Sequence, residues 1–258
     1  MSEEKNEKEA EEEGFISHLI ELRGRLLKIV AGISLVLLCL LPFANKLYAL
    51  LATPLLKYLP EGNSMTAIDV VSPFFIPFKL TMLLSVFITV PFILYHVWAF
   101  IAPGLYRKEK RLVFPLMLSS TLLFYAGVAF AYFVVFPLVF KFIIGIAPEG
   151  ISVTPDISRY FDFVVTMFLA FGVAFEMPVA TVILVAAGIT TPEQLVSIRR
   201  YVIVAAFIVG MLLTPPDVIS QCLLAFPMWV LYEIGVVASR LVVRHQQESG
   251  EEEQQNEA

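Results

Sequence analysis

Phe163-VVTMFLAFGVAF-Glu176-M-Pro178-VATVILVA-Ala187 is a 25-residue run that carries one carboxylate near its middle, and the twelve residues before that carboxylate, Val164 to Phe175, are uncharged. A helix needs about 20 apolar residues to cross roughly 30 Å of hydrocarbon, whereas a membrane β-barrel shows alternating stretches of about ten. The run therefore reads as a transmembrane α-helix. A lone carboxylate at such depth costs about 3 kcal/mol or more, which makes Glu176 a functional candidate. Pro178 has no N–H and frees the carbonyl of Ala174, one helical step from Glu176. A protonated Glu176 could donate to that carbonyl; the alternative is that Glu176 faces a watery concavity.

Five more apolar runs flank this one, giving six spans at about 26–41, 80–102, 112–140, 161–188, 201–213 and 218–237. With 58% hydrophobic residues and a mean hydropathy of +0.80, the chain exceeds what a water-soluble domain uses. The expected fold is all-α and polytopic. A single membrane domain covers 15–245, between acidic ends at 1–14 and 246–258 that read as disordered, solvated tails. The residues before the first span are acidic, so no cleavable signal peptide is expected. Prolines at 91, 178 and 227 bend the second, fourth and sixth spans toward a concave bundle.

Placing both termini in the cytoplasm assigns thirteen Lys and Arg to that side and five (Lys46, Lys57, Lys79, Lys141 and Arg159) to the other. That bias is the positive-inside pattern. The segment Pro42 to Lys79, with Pro54 as a structural position, then forms an outer cap of short helices and turns. The fifth run spans only about 20 Å. Either its helix starts upstream, near Ile198, or the bilayer thins around it. Thr191, Pro192 and Gln194 fit a capping box, from which a short cytoplasmic helix is expected.

No hydrolase, phosphate-loop or cysteine-cluster pattern occurs. Enzymatic activity, metal and cofactor are therefore not expected. Cys39 and Cys222 lie in separate apolar runs and read as packing or lipid-facing residues. The basic cluster Arg107 to Arg111 abuts a span, where anionic lipid explains it better than nucleic acid. In Phe15 to Leu26, apolar Phe15, Leu19, Leu22 and Leu26 share one helical face, and Glu21 precedes Arg25 by four, the order that favours an ion pair. Glu176, His96 and Glu233 allow a second reading, a proton-coupled small-solute carrier, although the internal repeat usual in carriers is absent.

Five ordered motifs sharpen the choice: Ser17-HLIEL-Arg23, Ala67-IDVVSPF-Phe75, Trp98-AFIAPGL-Tyr106 followed by Glu109, Phe171-GVAFEM-Pro178, and Gly210-MLLTPP-Asp217. Over residues 15 to 240 the chain resembles TatC, the C subunit of the twin-arginine protein translocase. The resemblance implies a receptor in the bacterial cytoplasmic membrane that binds precursors bearing paired arginines. It further implies that folded cargo crosses the membrane with TatA- and TatB-type single-span partners and other copies of the chain, driven by the proton-motive force. It assigns signal-peptide contact to Glu21, Glu109, Arg23 and Phe100, and partner-helix docking to Met211, Thr214 and Gln221. Glu176 becomes a polar point in the groove, and Pro54, Asp217 and Pro178 structural positions. Guanidinium makes bidentate, charge-assisted bonds to carboxylate that lysine does not reproduce, so acids suit a site that demands arginine.

Overall fold

In hydrocarbon a backbone can satisfy its N–H and C=O groups only within its own helix or a closed barrel, so long apolar runs without strand alternation must become helices. The computed structural model describes residues 2–57, 65–105, 110–145, 154–213 and 218–257. Helices follow in the order α1 (Ser2–Leu40), a 3-10 turn (Leu41–Phe43), α2 (Ala44–Leu56), α3 (Ser72–Leu105) and α4 (Lys110–Phe130). A π turn (Ala131–Val135) leads to α5 (Phe136–Gly145), followed by α6 (Ile157–Ala174), α7 (Met177–Ala186), α8 (Pro192–Leu213) and α9 (Val218–Glu257). Six stretches among the described residues are long and apolar enough to cross a membrane: Leu19–Thr53, Ser72–Phe100, Pro115–Phe142, Ile157–Ala186, Pro192–Leu213 and Gln221–Arg244. Each overlaps one of the expected runs, so the all-α reading holds.

The proline positions behave differently from one another. Pro91 and Pro227 lie inside uninterrupted helices, whereas at Pro178 the helix stops at Ala174 and restarts at Met177. A further break comes from Pro137, which lacks the N–H that would serve Phe133. The preceding turn widens to π geometry, with the Phe136 N–H reaching the carbonyl of Ala131 five residues back. At the fifth span the expectation needs revision. The capping box is present, with Gln194 N–H donating to Thr191 Oγ1 at 3.3 Å and Thr191 N–H to Gln194 Oε1 at 3.1 Å. It opens no separate short helix but α8 itself, whose 22 residues extend about 33 Å. The run from Tyr201 is only the second part of that helix.

The chain divides into two compact units, Met1–Leu47 with Pro77–Met117, and Tyr48–Ile76 with Leu118–Ala258. Within the first, Gly32 lets α1 approach α3, since a Cβ there would stand 3.1 Å from the Phe92 ring. Within the second, α9 packs along α7 and α8 around Ala206, Ala225, Met228 and Leu231, with Val185, Leu195, Tyr232 and Val236 forming a neighbouring cluster. Small residues permit these approaches: a Cβ on Gly235 of α9 would collide with Thr181 Oγ1 and sit 2.9 Å from Pro178 Cα. Of the segment expected to cap the bundle, α2 and residues 65–71 are described. Thr66 pairs with the chain entering α6, donating to the Pro155 carbonyl at 3.0 Å and accepting from Ile157 N–H at 2.9 Å. Asp156 caps α6 through Arg159 N–H and also accepts from Ile68 N–H, so one carboxylate pins both segments.

Candidate functional site

Glu21 lies on α1 where the acidic, charged stretch gives way to the apolar one, a boundary at which a carboxylate keeps access to water. Arg25, one turn on, donates to Glu21 Oε1 through Nε at 2.9 Å and through Nη2 at 2.6 Å. The same Nη2 reaches the Ala99 carbonyl of α3 at 3.1 Å. One guanidinium thus ties the first acidic motif to the Trp98-Ala99-Phe100 motif. The Glu21 side chain keeps 39% exposure and Arg25 22%, enough for Glu21 to meet an incoming group. Arg23 is exposed two residues away on another face of the helix, and Phe100 is half-buried. Glu109 lies outside the described residues. The spacing of Glu21 and Arg25 was legible; the Ala99 contact, 74 residues away, was not.

Glu176 occupies the step between α6 and α7. Its N–H bonds the Val173 carbonyl at 3.0 Å and its carbonyl receives Ala180 N–H at 2.8 Å, so the backbone stays satisfied across the break. Its side chain does not turn to the Ala174 carbonyl, one of the two options the sequence left open. Ser120 Oγ of α4 meets Glu176 Oε2 at 2.5 Å, while Oε1 is buried with no partner among the described residues. Two glycines produce this approach. A Cβ on Gly127 would overlap the Phe171 carbonyl oxygen, and one on Gly172 would lie 2.6 Å from the Phe124 ring. Ser120, Phe124 and Gly127 recur at i, i+4 and i+7, one face of α4, so the helix that notches against α6 also delivers Ser120. Ser120 is the residue that sequence reasoning missed, because a serine in an apolar run carries no local signal.

At the α8–α9 end, Gln221 donates through Nε2 to the Phe207 carbonyl at 2.8 Å. Gly210 leaves room for it, as an added Cβ would stand 3.2 Å from Gln221 Cγ. Gln221 thus closes the hairpin as well as lying near its rim. Met211 is 53% exposed beside Leu212 at 75%. Thr214 and Asp217 lie outside the described residues. At the opposite structural position, Pro54 removes the N–H that would serve the Leu50 carbonyl. That carbonyl instead receives Tyr132 Oη at 3.3 Å, and the next one, Leu51, receives Tyr160 Oη at 2.7 Å. The proline frees the first of these two acceptors, that of Leu50, for a tyrosine of the third span.

The groups of the carrier reading are each engaged separately. Arg199 pairs with Glu233: Nη2 donates to Oε2 at 2.8 Å, and Nε stands 2.5 Å from Oε1 as an ion-pair contact. His96 packs edge-on between Phe92 and Tyr95, with ring centroids 4.5 and 5.3 Å away. Neither pairing resembles a proton relay.

Six helices long and apolar enough to cross a membrane, with two ion pairs among the described residues, define a multi-pass membrane protein. A family model described as Sec-independent protein translocase protein (TatC) matches residues 17–227, and the chain belongs to that family. It is 59% identical over 228 residues to the Sec-independent protein translocase protein TatC of Escherichia coli strain K12, covering 88% of each chain. The corresponding protein of Azotobacter chroococcum is 56% identical over 233 residues, with 90% and 91% covered. The crystal structure of a twin arginine translocase receptor, TatC, superposes with a TM-score of 0.78 at 41% identity, covering 88% of this chain and 99% of that one.

Proposed function

We propose that this chain is the receptor and core membrane component of a twin-arginine translocase in the bacterial cytoplasmic membrane. It binds signal peptides bearing paired arginines and, with TatA- and TatB-type single-span partners, moves folded proteins across at the expense of the proton-motive force. It works by binding and assembly, without catalysis, cofactor or nucleic acid. The observation that carries the reading is the Glu21 carboxylate, which lies at the water-facing start of the first span and engages a guanidinium through two N–H groups. Charge-assisted bonds of this kind favour arginine over lysine by geometry. Family membership supports the same role.

Glu109 supplies the second acid of the site, with Arg23 and Phe100 beside it. Met211, Thr214 and Gln221 receive a partner helix at the α8–α9 end, and Glu176 contributes a polar contact to the same groove. The lysine and arginine distribution supports both termini in the cytoplasm, which brings Glu21 to the side where precursors arrive.

The test is photocrosslinking of a twin-arginine precursor to probes beside Glu21 and Glu109, repeated with both arginines changed to lysine. Strong crosslinks with arginine and weak ones with lysine are expected. Equal crosslinking in the two cases overturns the receptor role.

A further inference from the structure

The seam between α1 and α3 sets a lysine opposite a buried imidazole, and neither has a part in peptide recognition. On α1, Glu21, Arg25, Lys28 and Gly32 are spaced four, three and four residues apart, which places them on one helical face. Two contacts show that this face meets α3 in antiparallel register. Arg25 Nη2 reaches the Ala99 carbonyl at 3.1 Å, and a Cβ on Gly32 would stand 3.1 Å from the Phe92 ring. Lys28 lies three residues in from the first contact on α1 and His96 three residues in from it on α3, so the two come level. The charges of Arg25 and Lys28 both bear on the His96 ring. Arg25 is committed to Glu21 and to the Ala99 carbonyl, so its charge is balanced. Lys28 is exposed and makes no ion pair among the described residues. His96 is only 7% exposed, and its Nδ1 is buried with no hydrogen-bond partner among the described residues. A buried nitrogen without a partner is costly, and a lone ammonium beside it calls for negative charge. One anionic oxygen satisfies both.

We infer that this seam binds the phosphodiester of an anionic phospholipid in the leaflet at the arginine-bearing end of α1. Lys28 Nζ and His96 Nδ1 donate to the phosphate, and one acyl chain lies along Tyr95, Phe92 and Ile88. These three recur at i, i+4 and i+7 on α3 and are 52%, 40% and 52% exposed, an open apolar stripe about 10 Å long that leads from His96 into the span. Tyr95 and Phe92 also flank the imidazole, with ring centroids 5.3 and 4.5 Å from it. Lys28 stands about 10 Å along α1 from Glu21, within the apolar stretch, so its flexible stem carries the amine back to headgroup level and swings aside to admit a phosphate oxygen to the ring. A phosphodiester carries one negative charge, which the one unbalanced cation of the seam matches, while the imidazole adds a neutral donor. Pockets between helices that carry a juxtamembrane cation are where anionic headgroups settle. A soluble phosphate has the charge but nothing to cover the stripe below it.

The test places the full-length chain in phosphatidylcholine nanodiscs doped with phosphatidylglycerol or, separately, phosphatidylcholine that carries a diazirine high on one acyl chain, and locates the photoadducts by peptide mass spectrometry. Neither precursor nor partner helix is needed, so the outcome is independent of the receptor role. Adducts on residues 88–95 are expected with the anionic lipid at about fivefold the yield of the zwitterionic one. Lys28→Gln should bring the two yields together, and Lys28→Arg should keep them apart, because a phosphate needs the charge. His96→Phe keeps an aromatic ring between Phe92 and Tyr95 but removes the nitrogen donor, and should narrow the ratio to about twofold. Unchanged size-exclusion and circular-dichroism profiles guard against misfolding. Equal yields from the two lipids in the parent overturn the proposal, and so does a ratio that survives either Lys28→Gln or His96→Phe. An absence of adducts on residues 88–95 overturns it too, since a protein helix would then cover the seam. Loss of adducts on adding millimolar inorganic phosphate would give the site to a soluble anion instead of a lipid.

Discussion

Glu21, the acid proposed to receive a precursor's arginine, is held in orientation without being buried. Arg25 holds it through two N–H groups on one oxygen and is itself anchored to the Ala99 carbonyl, so the carboxylate is oriented by two helices while remaining partly in water. Hydrogen bonds to charged groups contribute about 1.5–3 kcal/mol, so Glu21→Gln should weaken twin-arginine peptide binding by roughly tenfold or more. Isothermal titration in nanodiscs would show this, and a loss under about threefold would remove Glu21 from the site. Glu176 makes a different demand. Its one described partner is the Ser120 hydroxyl, which can donate equally well to an amide oxygen. Glu176→Gln is therefore expected to retain co-purifying single-span partners, whereas Glu176→Leu should lose them. Loss with Gln would show that the charge or the proton, and not the hydrogen bond, is required.

Elements meet where small residues and freed carbonyls allow it. The tyrosines on the Leu50 and Leu51 carbonyls hold α2 to the third and fourth spans, so Tyr160→Phe should cost about 1 kcal/mol of stability. Tyr132→Phe should cost less, given its longer bond, and the pair should be non-additive because the two acceptors are adjacent. Mixed-micelle unfolding would measure both, and strict additivity would separate the two contacts. These contacts also mark the limit of what the sequence reveals. Apolar runs disclose the spans because hydropathy is a local property, and Thr191 with Gln194 discloses a helix start because a capping box is local. Ser120 beside Glu176, Arg25 on Ala99 and Gln221 on Phe207 are products of packing between segments that are far apart in sequence. The upstream start of α8 was one of two options the sequence left open, but its continuity with the capping box at Thr191 was not seen, because Arg199 and Arg200 interrupt the hydropathy but not the helix.

At the scale of the molecule, orientation decides whether the proposed sites are on the same side of the membrane as their ligands. Thirteen basic residues on one side against five on the other should hold both termini in the cytoplasm. A fluorescent protein that matures only in the cytoplasm should therefore glow when fused after Ala258, while a phosphatase active only outside should report from the 58–64 segment. A dark C-terminal fusion would invert the map and remove Glu21 from the side of the precursor. The acidic ends, Glu3 to Glu13 and Glu248 to Glu257, hold twelve carboxylates against two lysines and outweigh a net positive remainder to leave the chain at -5. With that orientation they lie in the same compartment as the basic loops, leaving the peptide site in a mixed field whose strength falls with salt.

The two glycine notches between α4 and α6 carry a consequence for genetics. The atom beneath Gly127 is a backbone carbonyl, whereas the atoms beneath Gly172 belong to the flexible end of a phenylalanine. Gly172→Ala should therefore be repairable by trimming its neighbour, as in Phe124→Leu. Gly127→Ala, predicted to cost about 1–3 kcal/mol by overpacking, meets the Phe171 carbonyl and the Phe175 Cβ, neither of which trimming the end of a side chain would move. A selection for second-site revertants should return partners for position 172 and almost none for position 127, so one of two chemically identical lesions is correctable and the other is a dead end.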